Sequence, residues 1–370
     1  MKIERINVWA LELPLARPYS LSGGRLHFDR LDSTLVRLDT DEGVSGWGEA
    51  CPWGSTYLPA FARGIRAGIE ELTPAILGQD PRRTEVVYQA MNKALPGHPY
   101  VKSAIDMACW DLAALSAGRP LCDLLGGRTA GEVRLHSSIP SGTTAHITDE
   151  IEIARDQGYT FHSVKIGGDP DRDVERMRSI DRHMAADEEL TFDCNRSWLP
   201  SEAIAVLNTN RDLNRVVEQP CETIEQHLQV RRNVSQPLAI DESLKTLGDL
   251  LRIIETGACE VVGLKLTRVG GLSVARRIRD LCIEAGISMN IEDTGGTTLQ
   301  ATAAVHLAQS TPEPFRRATW LCFDKLTRNP VDAGAVNHNG WTVAPETPGI
   351  GALPDVAALG DPLAVYRQEP

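Results

Sequence analysis

The chain has 370 residues and no apolar run near the ~18 residues that a membrane-spanning helix requires. Residues 1–15 break each apolar stretch with a charge, so no targeting segment is expected at this end. Positive charge is equally scarce: 38 Lys and Arg stand against 50 Asp and Glu, a formal balance of -12, and the basic residues are not clustered. That excludes a nucleic-acid or anionic-membrane surface, which needs grouped cations to neutralise phosphates. The eight cysteines have no C-x-x-C spacing and mostly lie among apolar neighbours, which argues for reduced thiols in a cytoplasmic protein and against a disulfide framework. A phosphate-cradling loop is also missing. Gly167-Gly168 and Gly270-Gly271 lack a following Gly-Lys-Ser or Gly-Lys-Thr and read as tight strand-to-helix turns. Ser141 and Ser163 have no evident histidine partner, because His136 and His162 precede the polar ends of their segments, and His306 in ATAAVHLAQ reads as packed. Serine nucleophile chemistry therefore finds no support.

What the chain does have is size and order. With 42% hydrophobic residues it can bury a large core, and its length suits one large domain with a smaller one. The first 60 residues read as β: IERINVWALEL is strand-like, and STLVRLDT and VSGWGEA flank a turn at Asp41-Glu42-Gly43. Helical spacing then takes over. In KSAIDMACWDLAALSAG, Ile105, Ala108, Leu112 and Leu115 fall on one face and Gly118 stops the helix. This is an α+β capping domain over 1–128. Short apolar strands alternating with amphipathic helices follow: VRLHSSI (133–139), FHSVKIG (161–167), ELTFDC (189–194), RVVEQP (215–220), PLAIDES (237–243), EVVGLKL (260–266), ISMNIED (287–293) and ATWLCFD (318–324). Eight such units predict an α/β fold of the closed (β/α)-barrel type over 129–324. An open doubly wound sheet would carry a Gly-rich nucleotide turn after its first strand, which SSIPSGTTAH lacks. The segment 325–370, rich in Asn, Gly and Pro, is expected to run back over the first domain.

Five charged residues close five consecutive strands: Lys165, Asp193, Glu218, Asp241 and Lys265, at intervals of 28, 25, 23 and 24 residues. A carboxylate at a strand end is commonly a helix cap or a solvated loop residue, but three on successive strands share the barrel face that carries active sites. Neighbouring strands lie ~4.8 Å apart, so the three can converge on one ion. All-oxygen donors suit Mg2+ better than zinc. Asn195 shares the face of Asp193 as a supporting partner, while Glu242 points elsewhere. The lysines flank the carboxylates on strands two and six. To act as a base a lysine must be neutral, yet at its ordinary pKa only about one in 10³ is deprotonated at pH 7. Burial beside a dication and a second lysine lowers that pKa; a shift of about three units corresponds to ~4 kcal/mol.

These motifs resemble the enolase superfamily, in its mandelate racemase and muconate lactonizing enzyme branch, along nearly the whole chain. SAIDMACWDLAALSAGRPLCDLLGG is similar to the branch's linker signature, FDCNRSW, VEQP and AIDES to its three metal motifs, and GLKLTRVGG to its catalytic-lysine segment. The resemblance implies an enolase-like modified TIM barrel with a capping domain, one Mg2+ per subunit held by Asp193, Glu218 and Asp241, and Lys165 and Lys265 as acid and base. It implies a small carboxylate substrate and a homo-oligomer, with no nucleic-acid or membrane partner. Two capping loops, about 15–28 and 50–58, would read the substrate through Tyr19, Ser20, Trp53 and Tyr57. The chain departs from the pattern at Ser163, where lysine-type members have a further lysine. No histidine closes strand seven; Asn290, Glu292, Asp293 and Thr294 stand there instead, in a segment similar to the EDT motif of members acting on proline derivatives. By that likeness Asp293 is a candidate contact for a substrate ammonium, with Thr294 beside it.

The chemistry implied is removal of a proton α to a carboxylate. If the second lysine protonates a leaving hydroxyl, the enzyme is a dehydratase; if it reprotonates carbon from the other face, it is a racemase or epimerase. The resemblance favours dehydration of a cyclic amino acid, cis-3-hydroxy-L-proline, to Δ1-pyrroline-2-carboxylate. Racemisation or epimerisation of proline or proline betaine is the alternative; dipeptide epimerase and cycloisomerase are more distant. A ligand-binding barrel without turnover has no need of two lysines and three carboxylates.

Overall fold

Two sheets organise the chain in its computed structural model, which describes residues 1–129 and 131–368. The first is antiparallel, in the order Ala364–Arg367, Ile3–Leu21, Leu26–Thr40, Ser45–Ala50. The stretch 15–28, expected as a loop, is the end of one long strand and the start of the next. Tyr19 pairs with Phe28 and Leu21 with Leu26 around a tight turn, and a register shift between Pro14 and Tyr19 absorbs Pro18, which has no amide hydrogen to give the ladder. At the hairpin tip Gly23 (φ 64) presses onto the turn after the second barrel strand: a Cβ there would lie 2.5 Å from the Gly167 backbone.

Three helices, Ala62–Ile76, Thr84–Ala94 and Pro99–Ala117, complete this unit. The last begins with Pro in its first turn and ends at Gly118 in the left-handed conformation (φ 63). Its apolar face was expected to be one-sided, but every residue from Tyr100 to Leu112 is buried. The reason is position: the helix lies between the capping sheet and the barrel segment Leu266–Ala285. It approaches the sheet so closely that a Cβ on Gly48 would fall 1.9 Å from the Ala104 carbonyl oxygen.

The second sheet is the barrel, eight parallel strands in sequence order: Ser137–Ile139, Phe161–Lys165, Glu189–Asp193, Val216–Glu218, Leu238–Ile240, Val261–Lys265, Ser288–Glu292 and Arg316–Ala318. A parallel bridge between Leu135 and Thr319 joins first to last. The (β/α)-barrel with an α+β cap is thus the observed fold. Two strand ends differ from expectation. Val133–Arg134 leaves the barrel to pair antiparallel with Trp341–Thr342, and the eighth strand ends at Ala318, where the expected one began. The apolar run after it, Trp320 to Phe323, is coil and a 3-10 turn; it is covered by the cap, with the Trp320 ring packed at a tilt 5.6 Å from Trp53, so its hydrophobicity reports a lid contact. Residues 364–367 return to pair with Arg5–Val8.

Candidate active site

Parallel register sets the site. Lys165, Asp193 and Glu218 are direct neighbours across strands two, three and four, and Lys265 is the neighbour of Glu292 across strands six and seven. Because parallel strands all run the same way, their C-terminal residues gather at one mouth. There Lys165 is ion-paired with Asp193, and Lys265 Nζ lies 2.7 Å from Asp241 Oδ2 and 3.4 Å from Glu292 Oε1. Asp241 Oδ1 also receives a 2.5 Å bond from Arg268, which is buried to 1% exposure. Asn195 donates from its backbone to Asp193 Oδ1 (2.9 Å) and from its side chain to Asp193 Oδ2 and Glu242 Oε1 (3.1 Å each).

These pairs decide the protonation states. Burial pulls Lys165 down, but Asp193, Tyr19 and Glu218 outweigh it and the net shift is upward. Lys265 is pulled down by burial and raised well above its ordinary value by Asp241, Tyr57 and Glu292. The direction is upward because each lysine has a carboxylate of its own; the lowering expected from sequence is for a site in which a dication engages those carboxylates. Asp241 is destabilised by burial yet held below the usual carboxylate range by Arg268 and Lys265. Glu218 goes the other way: burial first, then the charges of Asp193 and Asp241, push it well up.

Glu218 also has no side-chain hydrogen bond or ion pair among the described residues, and Asn195 Oδ1 and Glu242 Oε2 nearby are buried without partners. A hard dication suits such a set of unshared oxygens under mutual repulsion. As arranged, with Asp193 and Asp241 on their lysines, no three His, Cys, Asp or Glu side chains among the described residues stand close enough together to hold an ion.

A small cavity of about 30 Å³ lies over these groups. Of the residues singled out from sequence, Lys165, Lys265, Glu218, Tyr19, Trp53, Tyr57, Ser163, Asn195 and Thr294 line it. Two do not. Ser20 is bonded to His27 Nδ1 on the hairpin (2.9 Å). Asp293 is turned into the wall, where it accepts from Thr267 N and Oγ1 and from Thr294 N at 2.8 to 3.0 Å. Period-two alternation explains the difference: Asn290 and Glu292 face inward and line the cavity, so Asp293, one residue on, cannot share their side. Tyr57 brings the cap to the site, within 3.3 Å of Asp241 Oδ2 and 3.4 Å of Lys265 Nζ.

Two contributors escaped sequence reading, and a third, Glu292, was placed at the end of strand seven without a role. Arg268 sits in a helical turn after strand six and reaches back to Asp241 and to the Leu244 and Gly263 carbonyls. Glu292 receives His136 Nε2 at 2.8 Å from strand one's approach. Trp320, in the misassigned eighth strand, walls the cavity beside Tyr19. Only Glu292 left a signal, its inward register opposite Lys265. His306, by contrast, is packed: it bonds the Ile350 carbonyl and the Cys122 amide.

A barrel with polar groups gathered at the strands' C-terminal ends under an α+β cap defines a class. Residues 5–126 match Mandelate racemase / muconate lactonizing enzyme, N-terminal domain, and residues 146–358 match Enolase C-terminal domain-like. The chain belongs to this family of the enolase superfamily and is an enzyme. A cis-3-hydroxy-L-proline dehydratase from Roseibium aggregatum is 39% identical over 99% of this chain and 100% of its own length. A hydrophobic dipeptide epimerase from Enterococcus faecalis is 30% identical over 83% of this chain and 87% of its own. An enolase-superfamily member from Roseovarius nubinhibens, solved in complex with magnesium, is 50% identical with a TM-score of 0.95 over 99% of this chain and 100% of its own. No helix among the described residues is long and apolar enough to cross a membrane.

Proposed function

We propose that the protein is a Mg2+-dependent hydro-lyase that removes the proton α to the carboxylate of cis-3-hydroxy-L-proline and expels the 3-hydroxyl as water. The observation that carries this reading is the opposition of Lys165 and Lys265. They end strands two and six, four apart in a ring of eight, and line one cavity. In the cis isomer carboxylate and hydroxyl share a ring face, so the α-proton and the leaving hydroxyl lie on opposite faces. Anti elimination needs a base on one side and an acid on the other. One lysine, as the free amine, takes the α-proton; the C–H electron pair becomes the C2–C3 double bond; the C3–O bond breaks as the other lysine, as ammonium, protonates the departing oxygen. The enamine left behind tautomerises to Δ1-pyrroline-2-carboxylate. The 39% identity to a dehydratase of this substrate supports the choice.

Asp193, Glu218 and Asp241 are the proposed holders of the ion. When bound, Mg2+ would grip the substrate carboxylate and stabilise the negative charge that grows there as the α-proton leaves. Carboxylates so engaged no longer fix the lysines as ammonium, which frees one of them to act as base. Glu292, backed by His136, is the proposed partner of the ring nitrogen, a role the turned-away Asp293 is not placed to fill. In this reading residues 1–128 cap, 129–324 catalyse and 325–370 return to the cap, supported by the pairing of 364–367 with the first strand.

Incubation with Mg2+ and cis-3-hydroxy-L-proline, L-proline or proline betaine in D2O, followed by proton NMR, tests the reading. Loss of the hydroxyl with appearance of the imine supports it. Exchange at the α-carbon with inversion would instead support a racemase or epimerase, the second reading, which the same opposed lysines and the epimerases among the relatives allow. Silence across the panel counts against both.

A further inference from the structure

A second, much larger cavity of about 710 Å³ opens beside the reaction cavity, between the capping hairpin, the helix Thr144–Asp156 and the 3-10 turn Cys322–Lys325. The two share Tyr19, Ser138 and Trp320 as a common wall. In that wall the Tyr19 hydroxyl and Ser138 Oγ are hydrogen-bonded at 2.5 Å. The inner cavity has room for about one water, whose share of liquid volume is ~30 Å³, whereas the outer one falls within the ~300–1,000 Å³ usual for small-molecule sites.

Two charged side chains of the outer cavity lack an ion-pair partner among the described residues. Lys325 has no hydrogen bond or ion pair among the described residues; its ammonium stands over the Tyr19 ring, 5.9 Å from the centre. Asp324 stands beside Tyr159 and has no cation within ion-pair distance among the described residues; burial pushes its carboxyl up to about 6 against the charge of Lys325. Arg17 and Glu150 in the same cavity are ion-paired at 2.9 Å, which leaves Lys325 and Asp324, each within reach of the other's charge but outside ion-pair distance, flanked by the apolar surfaces of Ile153 and Trp320. A net-neutral pair of this kind beside apolar walls matches a zwitterion with a carboxylate, an ammonium and a hydrocarbon ring.

We propose that this outer cavity is a docking site for a zwitterionic cyclic amino acid. Lys325 receives its carboxylate and Asp324 its ring ammonium, and the ligand then passes to the inner cavity by parting the Tyr19–Ser138 bond. The choice of ligand rests on the proposed function, but its test does not require turnover. The probe is L-proline, which has no 3-hydroxyl to eliminate. Saturation-transfer NMR on the whole protein compares wild type, Lys325→Met and Lys265→Ala, with thermal midpoints to verify folding and Asp324→Asn as a second variant. L-Proline contact is expected in wild type and in Lys265→Ala, and about tenfold weaker in Lys325→Met and in Asp324→Asn. If the enzyme turns over its substrate, Lys325→Met should also raise KM about tenfold with kcat within twofold. Equal binding by wild type and Lys325→Met, binding lost only in Lys265→Ala, or no binding at all would each overturn the proposal. Outer-site binding without turnover of any panel substrate would leave it standing and sink the dehydratase reading instead.

Discussion

At the barrel mouth Asp193, Asp241 and Glu292 each face a cation, whereas at the seam between cap and barrel Glu49 and Asp106 are just as buried and face only amide and hydroxyl donors. Glu49 accepts from Ser33 Oγ (2.6 Å) and from Thr297 N and Oγ1 (2.9 and 2.6 Å), tying the third capping strand to the helix after barrel strand seven. Asp106 accepts from Ser273 N (2.9 Å) and Oγ, tying the buried capping helix to the barrel. Burial raises both seam carboxyls to about 7 despite those donors. A carboxyl at the same depth is thus held ionised where cations are near, as at Asp241 and Glu292, and is about half protonated at pH 7 at the seam, where they are not. On the proposed function, only the first kind would hand its charge to a dication and release a lysine.

The largest effect that would break this contrast is chemical. Lys265→Ala should lower turnover about 10³-fold or more, while calorimetry still detects Mg2+ binding; appreciable residual turnover would remove Lys265 from its role. Next is Arg268→Met. It leaves Asp241 in the interior without its bidentate-capable partner, and breaking a buried pair costs about 3–5 kcal/mol, read in denaturant unfolding. A loss below about 1 kcal/mol would mean that Arg268 does not hold Asp241. The smallest is Glu49→Gln, which sharpens the seam side. Its folded pKa is raised above the unfolded value, so the folded state keeps the proton longer, and the stability Glu49 contributes is present below about 4.5 and lost as pH rises through about 7. Relative to the glutamine variant, wild type should lose up to about 3 kcal/mol across that window; parallel stability curves would refute a raised pKa.

Strand periodicity and the recurrence of one charge per strand made the barrel and its five charged strand ends legible, because parallel register converts even spacing into spatial adjacency. The details that failed were those fixed by the other unit of the chain. Tyr19 sits on a strand where a loop was expected, since pairing with Phe28 outweighs the Pro18 break. The eighth strand was displaced because Trp320 and its neighbours are buried by the cap and carry a strand's hydrophobicity without a strand's partners. Arg268 was invisible because its value comes from a reach back to Asp241, three residues past the recognised lysine, and the pairing of each lysine with its own carboxylate depends on side-chain geometry that spacing does not give.

The central claim is anti elimination between two opposed lysines, and the most direct test compares the cis and trans isomers of 3-hydroxy-L-proline, each with and without deuterium at C2. The account predicts that the cis isomer loses its hydroxyl with a primary isotope effect while the trans isomer, whose α-proton and hydroxyl share a face, is not dehydrated. Equal dehydration of both isomers, or α-proton exchange with the hydroxyl retained in each, would contradict it.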